Sequence, residues 1–265
     1  MVDVSVLMAT RNGERYVRNA INSILNQTFT NFELVICNDH SSDSTQQILE
    51  EFANADSRIK VIRNTGRGGL MRSLNLGLNV CQGKFIARMD DDDVSHNDRL
   101  QVEVEFLNSH PDINLVGTNV DVYDKDGVYG HIKKVAYPSS TDIWRGNVFV
   151  HPTVMFRKSM VDVIGGYDEQ KSVLRIEDYD YWCRAYACGF KGANLQCSLL
   201  DYREDSGSFK KRDAMQKVRL VRCMSKWRKA LGVAPYFLVF ELYELFKIIV
   251  PERLIQIYHK TKYDN

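Results

Sequence analysis

The chain opens with an apolar run, Val4 to Ala9, that reads as a buried strand and meets a polar loop at Thr10-Arg11-Asn12-Gly13. Tyr16, Val17, Ala20, Ile21, Ile24 and Leu25 then recur at helical spacing. A second apolar run, Phe32 to Cys37, stops at the turn-forming stretch Asn38-Asp39-His40-Ser41-Ser42-Asp43, and Ile48, Leu49 and Phe52 give the next helix its inner face. Ile59 to Ile62 predicts a third strand. Gly66-Arg67-Gly68-Gly69 leads into a helix through Leu70, Leu74 and Leu78, and Lys84 to Met89 predicts a fourth strand, ending in Asp90-Asp91-Asp92-Asp93. Four alternations of strand and helix within the first hundred or so residues imply a mainly parallel, helix-covered α/β sheet. In such sheets ligands lie at the carboxyl ends of the strands, where all these polar loops fall.

Past residue 110 the rhythm becomes mixed. Ile113 to Gly117, Val120 to Tyr123, Thr153 to Phe156 and Leu195 to Tyr202 read as strands, with a turn at Asp124-Lys125-Asp126-Gly127 and a helix over 178–188. Further on, Met215, Val218, Leu220, Val221 and Met224 are apolar positions among basic residues. Tyr236 to Val250 is strongly apolar with one polar stripe, Glu241, Glu244 and Lys247, and Pro251 should end that helix. Such a helix packs on protein or lies in a membrane interface.

Composition is that of a globular protein: 265 residues, 44% apolar, 26% charged, with a formal net charge of +1. The near-neutral total hides an asymmetry. Residues 1–208 hold 22 Lys and Arg against 29 Asp and Glu, whereas residues 209–265 hold 13 against 5. An acidic body with a basic tail points to an anionic surface as partner. The six cysteines form no C-x-x-C, so buried, reduced thiols in a cytosolic protein are expected. Neither a signal peptide nor a membrane-spanning helix is predicted.

The acidic run is the strongest local chemical signal. Four carboxylates at a strand end repel one another unless a cation joins them, and hard Asp oxygens suit Mg²⁺ or Mn²⁺. A solvated acidic turn is the bland alternative. Glu177-Asp178-Tyr179-Asp180 is a second acidic element, which on its own reads equally as helix N-terminal acids. Absence of a G-x-G-x-x-G after the first strand, of a P-loop and of a G-x-S-x-G argues against nicotinamide, P-loop and serine-nucleophile chemistry.

The order of these elements is more telling than any one of them. S-V-L-M-A-T-R-N-G-E-R-Y (5–16), F-E-L-V-I-C-N-D-H-S-S-D (32–43), G-K-F-I-A-R-M-D-D-D-D (83–93), D-R-L (98–100), H-P-T-V-M-F-R-K (151–158), G-G-Y-D-E (165–169) and E-D-Y-D-Y-W (177–182) together resemble the inverting family-two glycosyltransferases of the GT-A fold. The resemblance covers roughly residues 2–205. It implies a metal-dependent enzyme that moves a hexose, glucose or galactose, from a UDP-sugar to an acceptor. It also implies a role for each matching residue. Asp39 would bond the uracil edge. Thr10, Arg11, Asn12 and Glu14 would flank base and ribose, and Arg72 would meet the diphosphate. Asp92, with Asp90, would hold the metal, and Asp90 and Asp91 would also face the donor. Asp178 would be the general base, with Glu177, Trp182 and His151 lining the acceptor pocket. The family often carries Pro at position 9 and an aromatic at position 11. Here Ala9 and Arg11 stand there, and a guanidinium can stack on a base in the aromatic's place.

Bacterial members that build O-antigen or capsule use acceptors on undecaprenyl diphosphate, so the acceptor implied is a lipid-linked saccharide, N-acetylglucosamine-diphospho-undecaprenol. The expected location is then cytoplasmic, peripheral on the inner membrane, with the basic tail on anionic lipid. A tail that only packs on the body or joins a homodimer is the alternative, and no nucleic-acid partner is expected. The expected organisation is a catalytic domain over 1–208, divided into a nucleotide-sugar half (1–110) and an acceptor half (111–208), followed by a basic amphipathic helical extension over 209–265. The absence of Q-x-x-R-W argues against a processive synthase. Two other readings compete: a non-catalytic carbohydrate- or nucleotide-sugar-binding protein with a degenerate site, and a sugar nucleotidyltransferase, whose glycine-rich first loop is missing here.

Overall fold

A computed structural model describes residues 2–204 and 214–246 of the chain. In chain order the elements are β1 (Val4–Thr10), α1 (Val17–Leu25), β2 (Phe32–Asn38), α2 (Thr45–Ala55), β3 (Ile59–Arg63), α3 (Leu70–Leu78), β4 (Phe85–Met89), β5 (Val94–Ser95), α4 (Arg99–Ser109), β6 (Leu115–Asp124), β7 (Gly127–Ile132), α5 (Ser140–Arg145), β8 (Met155–Arg157), α6 (Lys158–Ile164), α7 (Glu177–Ala187), β9 (Gly192–Arg203), α8 (Ala214–Arg228) and α9 (Leu238–Phe246). The strands form one sheet in the order β3-β2-β1-β4-β8-β6-β9-β5, with β7 paired to β6. Pairing is parallel from β3 to β4 and between β6 and β9, while β8, β7 and β5 join antiparallel. This is the α/β architecture the alternating pattern predicts, with the mixed half after residue 110.

β1 and β2 are buried at every position, as strands covered on both faces must be. Val4, Val6 and Met8 face the α1, α2 and α4 side; Leu7 and Ala9 face the side covered by α3 and α7. Parallel pairing brings the carboxyl ends of β1, β2, β3 and β4 to one edge, and with them the loops after Thr10, Asn38, Arg63 and Met89.

Several elements differ from expectation. The two strand segments expected over 113–123 are one ten-residue strand, β6, because its side chains are buried on both faces from Leu115 to Val120 and carry no alternation to mark its course. The short strand expected at Thr153 begins instead at Met155, after a 3-10 turn over His151–Thr153. α5 is set by a capping box in which Ser139 and Asp142 satisfy each other's backbone N–H groups. Of the six cysteines, Cys188 and Cys197 are exposed rather than buried, although all six are free thiols.

The extension packs on the body. Met224 and Cys223 of α8 join the core, and Trp144 of α5 donates its indole N–H to the Met224 carbonyl at 2.9 Å. Buried Asp180 of α7 takes hydrogen bonds from Trp227 at 2.8 Å, Lys226 at 3.0 Å and Arg184 at 3.3 Å. α9 then lies with its polar stripe turned inward: Glu241 is buried against Ser225 and 3.5 Å from Arg228, while Leu238, Val239, Leu242, Tyr243 and Leu245 are exposed. Residues 209–213 and 247–265, including Lys247 and Pro251, lie outside the described residues.

The approach to β4 has no room to spare. A Cβ on Gly83 would stand 2.7 Å from the Val4 carbonyl carbon and 2.9 Å from the Phe85 oxygen, both backbone atoms. Gly83→Ala should therefore lower stability by about 2–3 kcal/mol, the cost of overpacking where nothing flexible can yield. A urea melt checks this, and a loss under about 0.5 kcal/mol would show that the β1–β4 edge can move apart.

Candidate active site

The loop after β1 is held by the loop after β2. Asn12 sits in the left-handed region at φ 55°, and its Oδ1 accepts from Ser42 N–H at 2.9 Å. Its own N–H donates to Ser41 Oγ at 2.9 Å, and Gly13 N–H donates to Thr45 Oγ1 at 2.9 Å. Glu14 accepts from Ser44 N–H at 3.0 Å. Asn12 and Glu14 thus staple two loops together, while Arg11 projects exposed between them and solvent. Thr10 donates its hydroxyl to Asp91 and its carbonyl receives the Asp39 N–H at 2.8 Å, tying three strand ends into one rim.

Asp39 is 4% exposed. Asn64 donates to its Oδ1 at 2.9 Å, Gly69 N–H donates to its Oδ2 at 2.8 Å, and His40 lies 3.2 Å from Oδ1. Oδ2, with the single Gly69 hydrogen bond, keeps a lone pair for a ligand N–H. Arg72, on the first turn of α3, pairs with Glu169 at 3.5 Å, and its Nε has no partner among the described residues.

The acidic run is organised by Arg88, a guanidinium wholly buried in β4. It donates to Asp90 and to the Met89 carbonyl. Tyr123 of β6 donates to the Asp92 carbonyl at 2.9 Å, and Arg203 N–H of β9 donates to Asp93 at 2.8 Å. The Arg203 guanidinium lies over the Tyr16 ring at 3.8 Å. Burial, then Asp90 and Asp91, push the Asp92 carboxyl up to about 7. Burial and the neighbouring acids raise Asp93 further, and burial raises Asp91 against the pull of its Thr10 hydrogen bond. The donor set is all carboxylate oxygen, with one guanidinium on Asp90 and an uncompensated charge centred on Asp92, which fits a hard divalent cation.

Across the sheet, α7 begins with Glu177 and Asp178. Asp178 Oδ1 accepts the Tyr179 N–H at 2.8 Å, and Oδ2 accepts from Asn147. Burial and Asp178 push Glu177 up to about 7, against the pull of Arg88; burial also raises Asp178. His151 meets the Tyr167 hydroxyl at 2.9 Å, and burial with the Arg88 charge depresses its pKa well below the usual imidazole range. The side chain that neutralises Asp90 thus also acts electrostatically on Glu177, His151 and Tyr167. Trp182 is 1% exposed, packed edge-on to Phe149 at 5.6 Å and Tyr181 at 5.3 Å, because α7 turns that face into the core.

Sequence reasoning missed Arg88, Asn147, Asn64 and Tyr167. A charge inside the apolar strand Phe85–Met89 was the available signal for Arg88. Nothing local marks Asn147, whose role exists only because α5 packs beside α7.

The profile of Glycosyl transferase family 2 matches residues 5–165, and the chain belongs to that family. The putative glycosyltransferase EpsE of Bacillus subtilis is 35% identical over 99% of this chain and 95% of its own length. The Escherichia coli UDP-Gal:α-D-GlcNAc-diphosphoundecaprenol β-1,3-galactosyltransferase is 29% identical over 80% of this chain and 78% of its own. Among solved structures, S. aureus TarS 1–349 in complex with UDP-GlcNAc superposes with a TM-score of 0.67 at 20% identity, covering 95% of this chain and 82% of that one. The mannosyltransferase PcManGT from Pyrobaculum calidifontis, in complex with GDP-Man and Mn²⁺, gives 0.69 at 17%, covering 92% and 69%. The fold is GT-A.

The raised Asp92 carboxyl has a consequence for stability. Between its ordinary pKa of 3.8 and about 7, the folded chain holds a proton that the unfolded chain has lost. Stability therefore falls as pH rises through that window. In EDTA, Asp92→Asn should gain on the wild type as pH goes from 5 to 8, read as a rising difference in melting temperature. A difference that stays level would place the Asp92 charge in solvent.

Proposed function

We propose that the protein is a metal-dependent, inverting glycosyltransferase that moves glucose or galactose from a UDP-sugar to a lipid-linked saccharide, N-acetylglucosamine-diphospho-undecaprenol, in O-antigen or capsule synthesis. The observation that carries this reading is the pair of acidic elements at strand and helix ends, the run bonded to buried Arg88 through Asp90 and the base candidate Asp178 held by Asn147 and the Tyr179 N–H. A binding protein with a degenerate site needs no second carboxylate beside the first. Names of relatives support the donor and acceptor: a UDP-Gal-dependent enzyme acting on GlcNAc-diphosphoundecaprenol, and a neighbour that binds UDP-GlcNAc. A neighbour holding Mn²⁺ supports the metal.

In this reading residues 1–110 hold the donor and 111–208 the acceptor. Asp39 accepts the uracil N–H, Arg11 stacks on the base, and Arg72 meets the diphosphate. Asn12 and Glu14 hold the loop that carries Thr10 and Arg11. Asp92, with Asp90 and Asp91 beside it, holds Mn²⁺ or Mg²⁺, which supplies Lewis-acid stabilisation to a departing nucleoside diphosphate. Asp178 takes the proton of the acceptor hydroxyl as that oxygen bonds to the anomeric carbon. The sugar–phosphate bond breaks on the opposite side with its electron pair on UDP, so one displacement inverts the centre. Asn147 and Tyr179 N–H fix the base without occupying every lone pair, and its raised pKa strengthens it. Glu177 and neutral His151 face the acceptor.

Thermal shift with UDP, GDP, CDP and dTDP, each with and without Mn²⁺, tests the donor class. A nucleotide at a hundred times its Kd should add about 2.7 kcal/mol. Only UDP with Mn²⁺ should do so; a preference for another nucleotide overturns the donor. Asp178→Asn should keep that shift while transfer falls by at least about 10²-fold, and unchanged turnover removes Asp178 from the base role.

No helix among the described residues is long and apolar enough to cross a membrane. Contact with the acceptor lipid is assigned to the outward face of α9, where Leu242 is 65% and Val239 60% exposed beside the basic α8. The protein should float with phosphatidylglycerol vesicles, and Leu242→Glu with Val239→Glu should abolish flotation without changing the melting temperature. Full flotation of that variant would locate the contact elsewhere.

A further inference from the structure

A second cluster of metal-type side chains stands apart from the acidic run. Among the described residues, the group whose ligand atoms lie within 4.8 Å of one another is His96, Asp121 and Asp201. Their positions follow from strand register. Asp121 of β6 is directly opposite Asp201 of β9, and on its other side directly opposite His131 of β7. Val94 of β5 is opposite Asp201, and two residues on, one step diagonally, stands His96. Cross-strand partners share a face, so His131, Asp121, Asp201 and His96 form one row across four adjacent strands.

The row alternates in chemistry. His96 Nε2 lies 2.8 Å from Asp201 Oδ1, and His131 Nδ1 lies 2.6 Å from Asp121 Oδ1. The two central carboxylates face each other directly, an arrangement that repels unless a positive charge joins it. The backbone at His96 is held, its N–H donating to the Leu199 carbonyl at 3.0 Å and its carbonyl accepting from Gln27 at 2.7 Å. All four side chains retain solvent access, from 22% for Asp121 to 63% for His131, so an ion can enter.

We propose that His96, Asp121 and Asp201 form a zinc-class binding site, distinct from the acidic run. One imidazole nitrogen and two carboxylate oxygens leave the fourth, open position that a tetrahedral Zn²⁺ accepts, whereas Mg²⁺ prefers oxygen alone, and His131 stands behind Asp121 as its hydrogen-bond partner. The ion replaces the His96–Asp201 hydrogen bond and ties β6 and β9 to the residue that follows β5. Two residues further along β6 and β9 are Tyr123 and Arg203, whose donated hydrogen bonds hold Asp92 and Asp93. The site thus braces the strands behind the acidic run.

Calorimetric titration of Zn²⁺ into the chelator-stripped full chain is the test, run on the wild type, Asp92→Asn and the pair His96→Ala with His131→Ala. Asp92→Asn should bind about one equivalent, the wild type that equivalent plus whatever the acidic run takes up, and the double histidine variant should bind the shared equivalent at least about tenfold more weakly. Co²⁺ should show visible absorption bands of a four-coordinate nitrogen–oxygen site in the first two proteins only. No zinc bound by the wild type, loss of zinc in Asp92→Asn, or unchanged affinity in the double variant each overturns the proposal. Should the double variant melt below the assay temperature, His96→Gln, at a ligand position, decides in its place by the same weakening or its absence.

Discussion

Arg88 is buried in β4 with carboxylates on both sides. A guanidinium so placed loses its hydration and is stabilised only by the negative charge around it, while the acidic run needs a cation to exist at a strand end. Each therefore makes the other tolerable. Asp90 is bonded to Arg88 directly, and Glu177, His151 and Tyr167 all feel its charge. One guanidinium cannot neutralise four aspartates, and burial, with the remaining charge added to it, raises Asp92 and Asp93. The site is left short of positive charge by its own packing, which is the electrostatic opening for the divalent cation proposed above.

The rest of the fold keeps that arrangement in register. Arg99 of α4, also wholly buried, donates to the Arg88 carbonyl at 2.8 Å and pairs with Glu103 at 3.2 Å, so the helix after the acidic run is locked to the strand before it. Asn75 of α3 bonds the backbone of Tyr167 in both directions and accepts no slack between the donor and acceptor sides. Asp180, two residues past Asp178, gathers Lys226, Trp227 and Arg184, so α7 is anchored by α8 at the turn that presents Asp178. The basic extension is consequently part of the site's support as well as a surface.

α9 shows how a sequence stripe and a tertiary face can separate. Glu241 and its neighbours suggest a polar side for water, yet Glu241 is buried on Ser225 and Arg228, where a paired carboxylate is better served by a guanidinium than by solvent exposure. Phe237 and Phe240 face Arg145 and Trp144, and the remaining leucines and tyrosines are left outside. An apolar face pointing outward beside a basic helix is suited to an anionic lipid surface.

The parallel half of the sheet, its buried strands and the polar loops at their carboxyl ends were legible from the chain alone, because apolar runs of five to seven residues between helical repeats leave few other packings. The acidic run and the Glu177–Asp178 pair were legible as chemistry too, since like charges at adjacent positions need a reason wherever they fold. Tertiary structure alone decided what lies beside them. Arg88 joins the two acidic elements only once β4 faces α7. Asn147 reaches Asp178 only because α5 packs on that helix, and Trp182 is turned into the core by α7's rotation. His131, Asp121, Asp201 and His96 carry no common spacing in the chain and meet only through strand register, which long-range pairing sets and local pattern does not.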